Sequence, residues 1–238
     1  MRDRIIVALD QPDLAGALAC AQALQGHARW VKVGMTLFYR EGPAAVAAMR
    51  ELGYDVFVDL KLHDIPHQVE GAARALGALG AGMLTVHASG GPAMVEAAVR
   101  GSAQGAAAAG MPAPAVIAVT VLTSIDAETL RAVGVTDPPA EQAAGLAALA
   151  KTAGAQGVVC SPQEAADLRA LLGPHALIVT PGVRPAGSDA GDQARIATPA
   201  AAFAAGASHI VIGRPVTGAS DPAAAFEAIV TDLEEPRA

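Results

Sequence analysis

Eight short runs rich in Val, Ile and Leu recur along the chain, at 4–9, 29–33, 54–60, 82–87, 115–121, 156–160, 176–180 and 208–212. Between them lie Ala-rich stretches whose apolar residues repeat at helical spacing, over 12–26, 42–52, 67–80, 92–109, 138–153 and 162–172. Strands that alternate with helices pair in parallel, because each helix carries the chain back to the end where the strand began. Eight such units close most economically into a (β/α)8 TIM barrel, and 238 residues suit a single domain of that kind spanning 1–238. An open doubly wound sheet is the alternative, but no strand–turn–helix unit carries the G-x-G-x-x-G fingerprint that would favour it. No linker, low-complexity tract or charge block divides the chain, and the stretch expected to move most is 187–192, just after the seventh strand.

In such a barrel the chemistry gathers at the C-terminal ends of the strands. Those ends read Asp10, Lys32, Asp59 with Lys61, His87, Thr120 to Thr123, Cys160, Thr180 to Arg184, and Gly213 with Arg214, whereas the strand bodies are Val, Ile, Leu and Ala. The chain has three lysines against thirteen arginines, and two of the three, Lys32 and Lys61, stand here beside carboxylates. Arginine is permanently charged, while lysine can give up a proton, so the choice suggests proton chemistry. Asp59 and Lys61 are two apart at a strand end and point to one face. Asp64 follows where the strand has become a loop ending at Pro66, and Lys32 comes from the neighbouring strand. Asp-x-Lys alone reads as a structural ion pair. Four alternating charges on adjacent strand ends favour a functional site, because burying charge is costly unless something uses it.

Composition narrows the partners. Hydrophobic residues make up 53% of the chain, but much of that is alanine, and no apolar run approaches the roughly 20 residues of a membrane span. Met1 leads straight into a strand-like run with no signal-peptide pattern. Cys20 and Cys160 lie far apart in apolar contexts, as expected of unpaired thiols in a reduced cytoplasmic protein. A net charge of −7 and the lack of a basic, aromatic patch argue against nucleic acid. A positive site for an anionic ligand must therefore be local.

Seven segments together resemble the orotidine 5′-phosphate decarboxylase family: Val7-Ala8-Leu9-Asp10, Val31-Lys32-Val33-Gly34, Asp59-Leu60-Lys61-Leu62-His63-Asp64-Ile65-Pro66, Val119 to Ser124, Thr180 to Pro185, Gly191-Asp192-Gln193 and Ile210 to Pro215. They run in family order over nearly the whole chain, and the Asp59–Pro66 block is the most specific. The resemblance implies conversion of orotidine 5′-phosphate to UMP and CO₂, the last step of de novo UMP synthesis, with neither metal nor organic cofactor. Loss of CO₂ leaves a C6 carbanion without a conjugated electron sink, so preorganised charge must stabilise it. By the same resemblance Lys61 supports the carbanion and protonates C6, Asp59 lies near the departing carboxylate, and Lys32 holds Asp59 and reaches the ribose. Asp10 is expected to bind a ribose hydroxyl and Thr123 the pyrimidine. Asp64 is expected to enter the partner's site, which makes a homodimer the functional unit.

Arg214, after Gly213 at the end of the eighth strand, occupies a usual barrel phosphate position, and Arg184 one strand earlier is placed to help. An isolated Gly-Arg would read as a helix start with a solvated arginine; the Pro-Gly-Val-Arg beside it favours phosphate. Gln193 is expected to bridge phosphate and base as its loop closes. The chain departs from the family pattern in having His67-Gln68 where Asn-Thr is usual, so the partner-site ribose contact would fall to Gln68. His63 and His67 have a metal-like spacing, but Pro66 intervenes and no further ligand is evident. His87 is read as a pocket wall, His27, His175 and His209 as structural or solvated, and Cys160 as a packed thiol. Two alternatives differ in class. A sugar-phosphate decarboxylase or aldolase of the related barrel group would use Mg²⁺ and a carboxylate where the second strand ends, the place of Lys32. A non-catalytic nucleotide-binding barrel would not need the complete charge array.

Overall fold

The structure, a computed structural model, describes residues 1–185 and 197–235. Eight parallel strands close into a barrel in sequence order: β1 (Ile5–Leu9), β2 (Trp30–Gly34), β3 (Asp55–Leu62), β4 (Met83–His87), β5 (Ala115–Val119), β6 (Gly157–Val159), β7 (Leu177–Thr180) and β8 (His209–Ile212). β1 pairs with β8 and completes the circle. The (β/α)8 barrel is thus the fold, and the open sheet is excluded because no strand edge is left unpaired.

The helices are α1 (Leu14–Ala23), α2 (Met35–Glu41), α3 (Pro43–Glu51), α4 (Pro66–Ala78), α5 (Pro92–Ala108), α6 (Ala127–Ala132), α7 (Pro139–Thr152), α8 (Ala165–Leu172), α9 (Pro199–Ala204), α10 (Arg214–Thr217) and α11 (Pro222–Glu234). Many start with proline in the first turn, where the missing N–H costs nothing and the fixed φ suits the helix. Asp13, Asp126, Thr198 and Asp221 cap their helices by accepting a backbone N–H. α4 and α5 approach so closely that a Cβ at Gly101 or Gly105 would strike the carbonyls of Glu70 and Arg74. That contact fixes α4, and with it the end of the 59–66 segment.

Two cores result. Outward-facing strand residues such as Ile5, Val7, Val31 and Val58 pack under the helices. The barrel interior is a smaller cluster in which Ile6, Ala8, Phe57, Met83, Ile117 and Val211 meet. Phe57, fully buried, lies in register with Lys32 on one side and Met83 on the other. The interior is therefore apolar through the middle of the barrel apart from Lys32, and turns polar one inward step further along β3 and β4, at Asp59 and Thr85.

Candidate active site at the mouth of the barrel

β3 breaks its regular register as it reaches the mouth. Phe57 pairs with Met83 and Val58 with Leu84, but the next pair is Leu62 with Val86, so Asp59, Leu60 and Lys61 lie opposite Thr85 alone. Such a bulge bends the strand and re-aims its side chains. Lys61 carries it with φ of 51°, the one non-glycine residue with positive φ among the described residues. A bulky side chain seldom adopts that conformation, and backbone of this kind concentrates at functional sites.

Around this bulge the charged groups form a chain. Lys61 Nζ donates to Asp59 Oδ1 at 2.9 Å, Lys32 Nζ lies 3.5 Å from Asp59 Oδ2, and Lys32 Nζ donates to Asp10 Oδ1 at 2.8 Å. The fully buried Thr85 hydroxyl donates to Asp59 Oδ1 at 2.9 Å and accepts the Lys61 N–H at 2.8 Å. Lys32 and Asp59 are buried, Lys61 is half-buried and Asp10 is exposed. Burial alone would push the Lys32 ammonium down, but the carboxylates of Asp59 and Asp10 more than offset it and hold the pKa above its ordinary value. Burial likewise opposes ionisation of Asp59, and the two ammonium groups with the Thr85 hydroxyl overcome it, leaving the carboxyl below its usual range. Gly34, in register beside Asp59, leaves room for the array. A Cβ there would lie 2.6 Å from Asp10 Oδ1 and 2.7 Å from Lys32 Nζ.

Two connected cavities open from this wall. The deeper, of about 200 Å³, has Lys32, Asp59 and Lys61 on one side and Val119, Val159 and Val179 on the other. Thr123, buried in the loop after β5, lines it too. The outer cavity, of about 540 Å³, is lined by Asp10, Arg184, Gly213 and Arg214 and shares Lys32, Pro181 and Val211 with the first. One end is thus half charged and half apolar, and the other holds two guanidinium groups.

Not every candidate joins this constellation within one chain. Asp64 is exposed, accepts the Ile65 N–H at 2.6 Å, and lines a further groove of about 350 Å³ with Gln68, Met35 and Tyr39, which shares only Lys61 with the deeper cavity. Gln193 lies outside the described residues, as does the stretch 187–192. His87 packs at a tilt against His63 with ring centroids 5.3 Å apart, and its pKa is lowered by burial, then by His63 and Lys61. Among the described residues, no group of three His, Cys, Asp or Glu side chains could hold a metal. Nor is any described helix long and apolar enough to cross a membrane.

Sequence reasoning missed Thr85, and it named Gly34 only as part of a motif, without a role. Thr85 alternates with Met83 and His87 and so shares their inward face, a signal that was available. Gly34 gives no such signal, because the need for a missing Cβ depends on where two distant side chains meet.

The sequence profile of the orotidine 5′-phosphate decarboxylase / HUMPS family matches residues 3–229. An orotidine 5′-phosphate decarboxylase of Moorella thermoacetica is 54% identical over 98% of this chain and 93% of its own. One from an Anaeromyxobacter species is 55% identical over 97% of this chain and 98% of its own. The crystal structure of orotidine 5′-phosphate decarboxylase from Lactobacillus acidophilus superposes with a TM-score of 0.85 at 42% identity, covering 99% of this chain and 100% of that one. With a match along nearly the whole chain in both sequence and fold, the protein belongs to the orotidine 5′-phosphate decarboxylase / HUMPS family.

Proposed function

We propose that the protein decarboxylates orotidine 5′-phosphate to UMP and CO₂, closing de novo UMP synthesis, and that it does so with its own side chains, without metal or organic cofactor. The observation that carries this reading is the Lys32–Asp59–Lys61 chain at the mouth of the barrel, with Lys32 and Asp59 buried and distances of 3.5 and 2.9 Å. Both carboxylates a cation would need are already engaged by Lys32.

The pyrimidine lies in the deeper cavity, its face against the apolar wall and its C6 edge toward Lys61, with Thr123 binding the ring. The C6–carboxylate bond breaks, CO₂ leaves, and the electron pair stays on C6. The Lys61 ammonium stabilises that pair electrostatically and then transfers a proton to it, forming C6–H; the neutral amine regains a proton from water. Asp59 keeps the ammonium in place and puts negative charge near the departing carboxylate. Lys32, held by Asp59 and Asp10, reaches the ribose, and Asp10 binds a ribose hydroxyl. The phosphate dianion lies in the outer cavity with Arg214, Arg184 and the Gly213 backbone, and Gln193 bridges it to the base. Its binding energy, spent far from C6, drives closure and water exclusion around the reacting atom.

The functional unit is a homodimer. Tyr39 (71% exposed) and Met35 (46%) line the groove with Asp64 and Gln68, and Ile65 (63%) follows Asp64 in the chain, an apolar surface suited to a second copy. Across it the partner subunit's Asp64 completes the charge array, and Gln68 meets the partner-site ribose. A cytoplasmic location agrees with the thiols of Cys20 and Cys160, both buried and neither in a disulfide.

The test is product analysis in D₂O after treatment with EDTA. Equal amounts of CO₂ and of UMP carrying deuterium at C6 are expected. Recovery of unchanged orotidine 5′-phosphate from folded, dimeric protein would overturn the reading.

A further inference from the structure

We propose that Thr85 is a positioning residue that sets the geometry of the Asp59–Lys61 pair; the proposal rests on the function given above for that pair. Its hydroxyl touches both the backbone of Lys61 and the side chain of Asp59. A hydroxyl has a single proton to donate and lone pairs to accept with. Here the proton goes to Asp59 Oδ1 at 2.9 Å, so the oxygen is left to accept the Lys61 N–H at 2.8 Å. Both directions are therefore fixed by chemistry.

The bulge makes the contact necessary. Three residues, Asp59 to Lys61, face one residue of β4, and the regular ladder cannot serve the Lys61 N–H. Thr85 replaces the missing carbonyl partner. It thereby holds Lys61 at φ of 51°, a conformation a lysine keeps only when its surroundings impose it. The same oxygen sits on the Asp59 oxygen that receives Lys61 Nζ at 2.9 Å. Backbone and head group of one lysine are thus referred to a single fully buried hydroxyl. Thr85 itself lines neither the deeper cavity nor the outer one, so it acts through Asp59 and Lys61.

Valine has the shape of threonine without the hydroxyl, and serine has the hydroxyl without the methyl. We expect Thr85→Val to lower kcat about 10²-fold while KM moves less than about threefold, and Thr85→Ser to keep kcat within about threefold of the parent. Amide hydrogen exchange at Lys61, read in the intact protein without substrate, should speed up about tenfold or more in Thr85→Val and stay slow in Thr85→Ser. A merely structural hydroxyl would lower melting temperature without this split between Val and Ser at the Lys61 amide. Parent-like turnover in Thr85→Val, or Lys61 exchange equal in the two variants, overturns the proposal. Should Thr85→Val not fold, Thr85→Ala takes its place against Thr85→Ser with the same expected split. The exchange measurement needs no catalysis, so a parent protein inactive on orotidine 5′-phosphate would overturn the function and leave the claim on Lys61 geometry to be judged by its own result.

Discussion

Lys61 Nζ meets Asp59 Oδ1 at 2.9 Å across two residues of one strand, and it does so from a left-handed backbone that lysine normally avoids. The ion pair and the strain belong together: the bulge that raises φ at Lys61 also turns its ammonium inward. Glycine has no steric objection to this φ, whereas alanine does. Lys61→Gly should therefore be more stable than Lys61→Ala by about 1 kcal/mol in urea unfolding, with both variants inactive. Equal stabilities would mean that the backbone at residue 61 relaxes once the ammonium is gone.

Asp59 neutralises two lysines in a buried place. Replacing it by alanine leaves both ammonium groups without their shared counter-ion, a change expected to cost roughly 3–5 kcal/mol for a buried pair. Thermal unfolding of Asp59→Ala against the double variant Asp59→Ala/Lys32→Met separates the causes. Removing the second charge should recover part of the loss. A double variant less stable than the single one by the full cost of Lys32→Met would contradict the electrostatic explanation.

Gly34 tests the geometry of the array from the other side. A methyl group there would fall within 2.7 Å of both Lys32 Nζ and Asp10 Oδ1, so one of them must move. Gly34→Ala should lower kcat/KM about tenfold or more while costing roughly 1–3 kcal/mol of stability, in keeping with overpacking. Steady-state kinetics beside a melting curve would show it, and an unaffected kcat/KM would mean that Lys32 has room to spare.

The acid limb of stability should start with a histidine. His209 packs edge-on against Trp30 at 6.0 Å, and burial, then Arg4 and Arg29, lower its pKa to about 4. Between its unfolded value, about 6.5, and that folded value the unfolded chain binds more protons, so stability falls as the pH drops through that window. Asp59, with a depressed folded pKa, adds a loss that begins lower, below its unfolded value, and Lys32, with a raised one, a loss above its own. Urea midpoints at pH 7 and pH 5 should differ in the parent, and His209→Gln should shrink the difference. An unchanged difference would assign the acid limb to other groups, His87 with its lowered pKa and the carboxylates among them.

Two inactive variants should rescue each other if sites are shared between subunits. In a mixture of Lys61→Ala and Asp64→Asn with free subunit exchange, half the dimers are mixed and one site in each is intact, giving about a quarter of parental activity. No recovery after verified exchange would place every catalytic group within one chain.

Much of this was readable from the sequence, for a physical reason. A strand buried on both faces is written in Val, Ile and Leu, so all eight strands stood out, and a charge at such a strand's end cannot be hidden cheaply. Asp59, Lys61 and Lys32 were legible on that ground. The bulge was not, since Asp-Leu-Lys-Leu alternates like any regular strand and β3 was expected to end at residue 60 rather than Leu62. Thr85 reads as an ordinary β-former until its two partners are known. α2, which runs straight on from β2 and ends at Gly42, where φ is 63° and Pro43 begins the next helix, also went unread, as did the short α6, α9 and α10. α11 should have been visible, because Asp221 followed by Pro222 is a strong helix start.

The most direct measurement is the ultraviolet change when the protein meets orotidine 5′-phosphate in EDTA, with Lys61→Ala run in parallel. Rapid loss of substrate absorbance in the parent and none in Lys61→Ala is the predicted result. No change in folded, dimeric parent protein, or equal loss in both, would contradict a metal-free decarboxylation centred on Lys61.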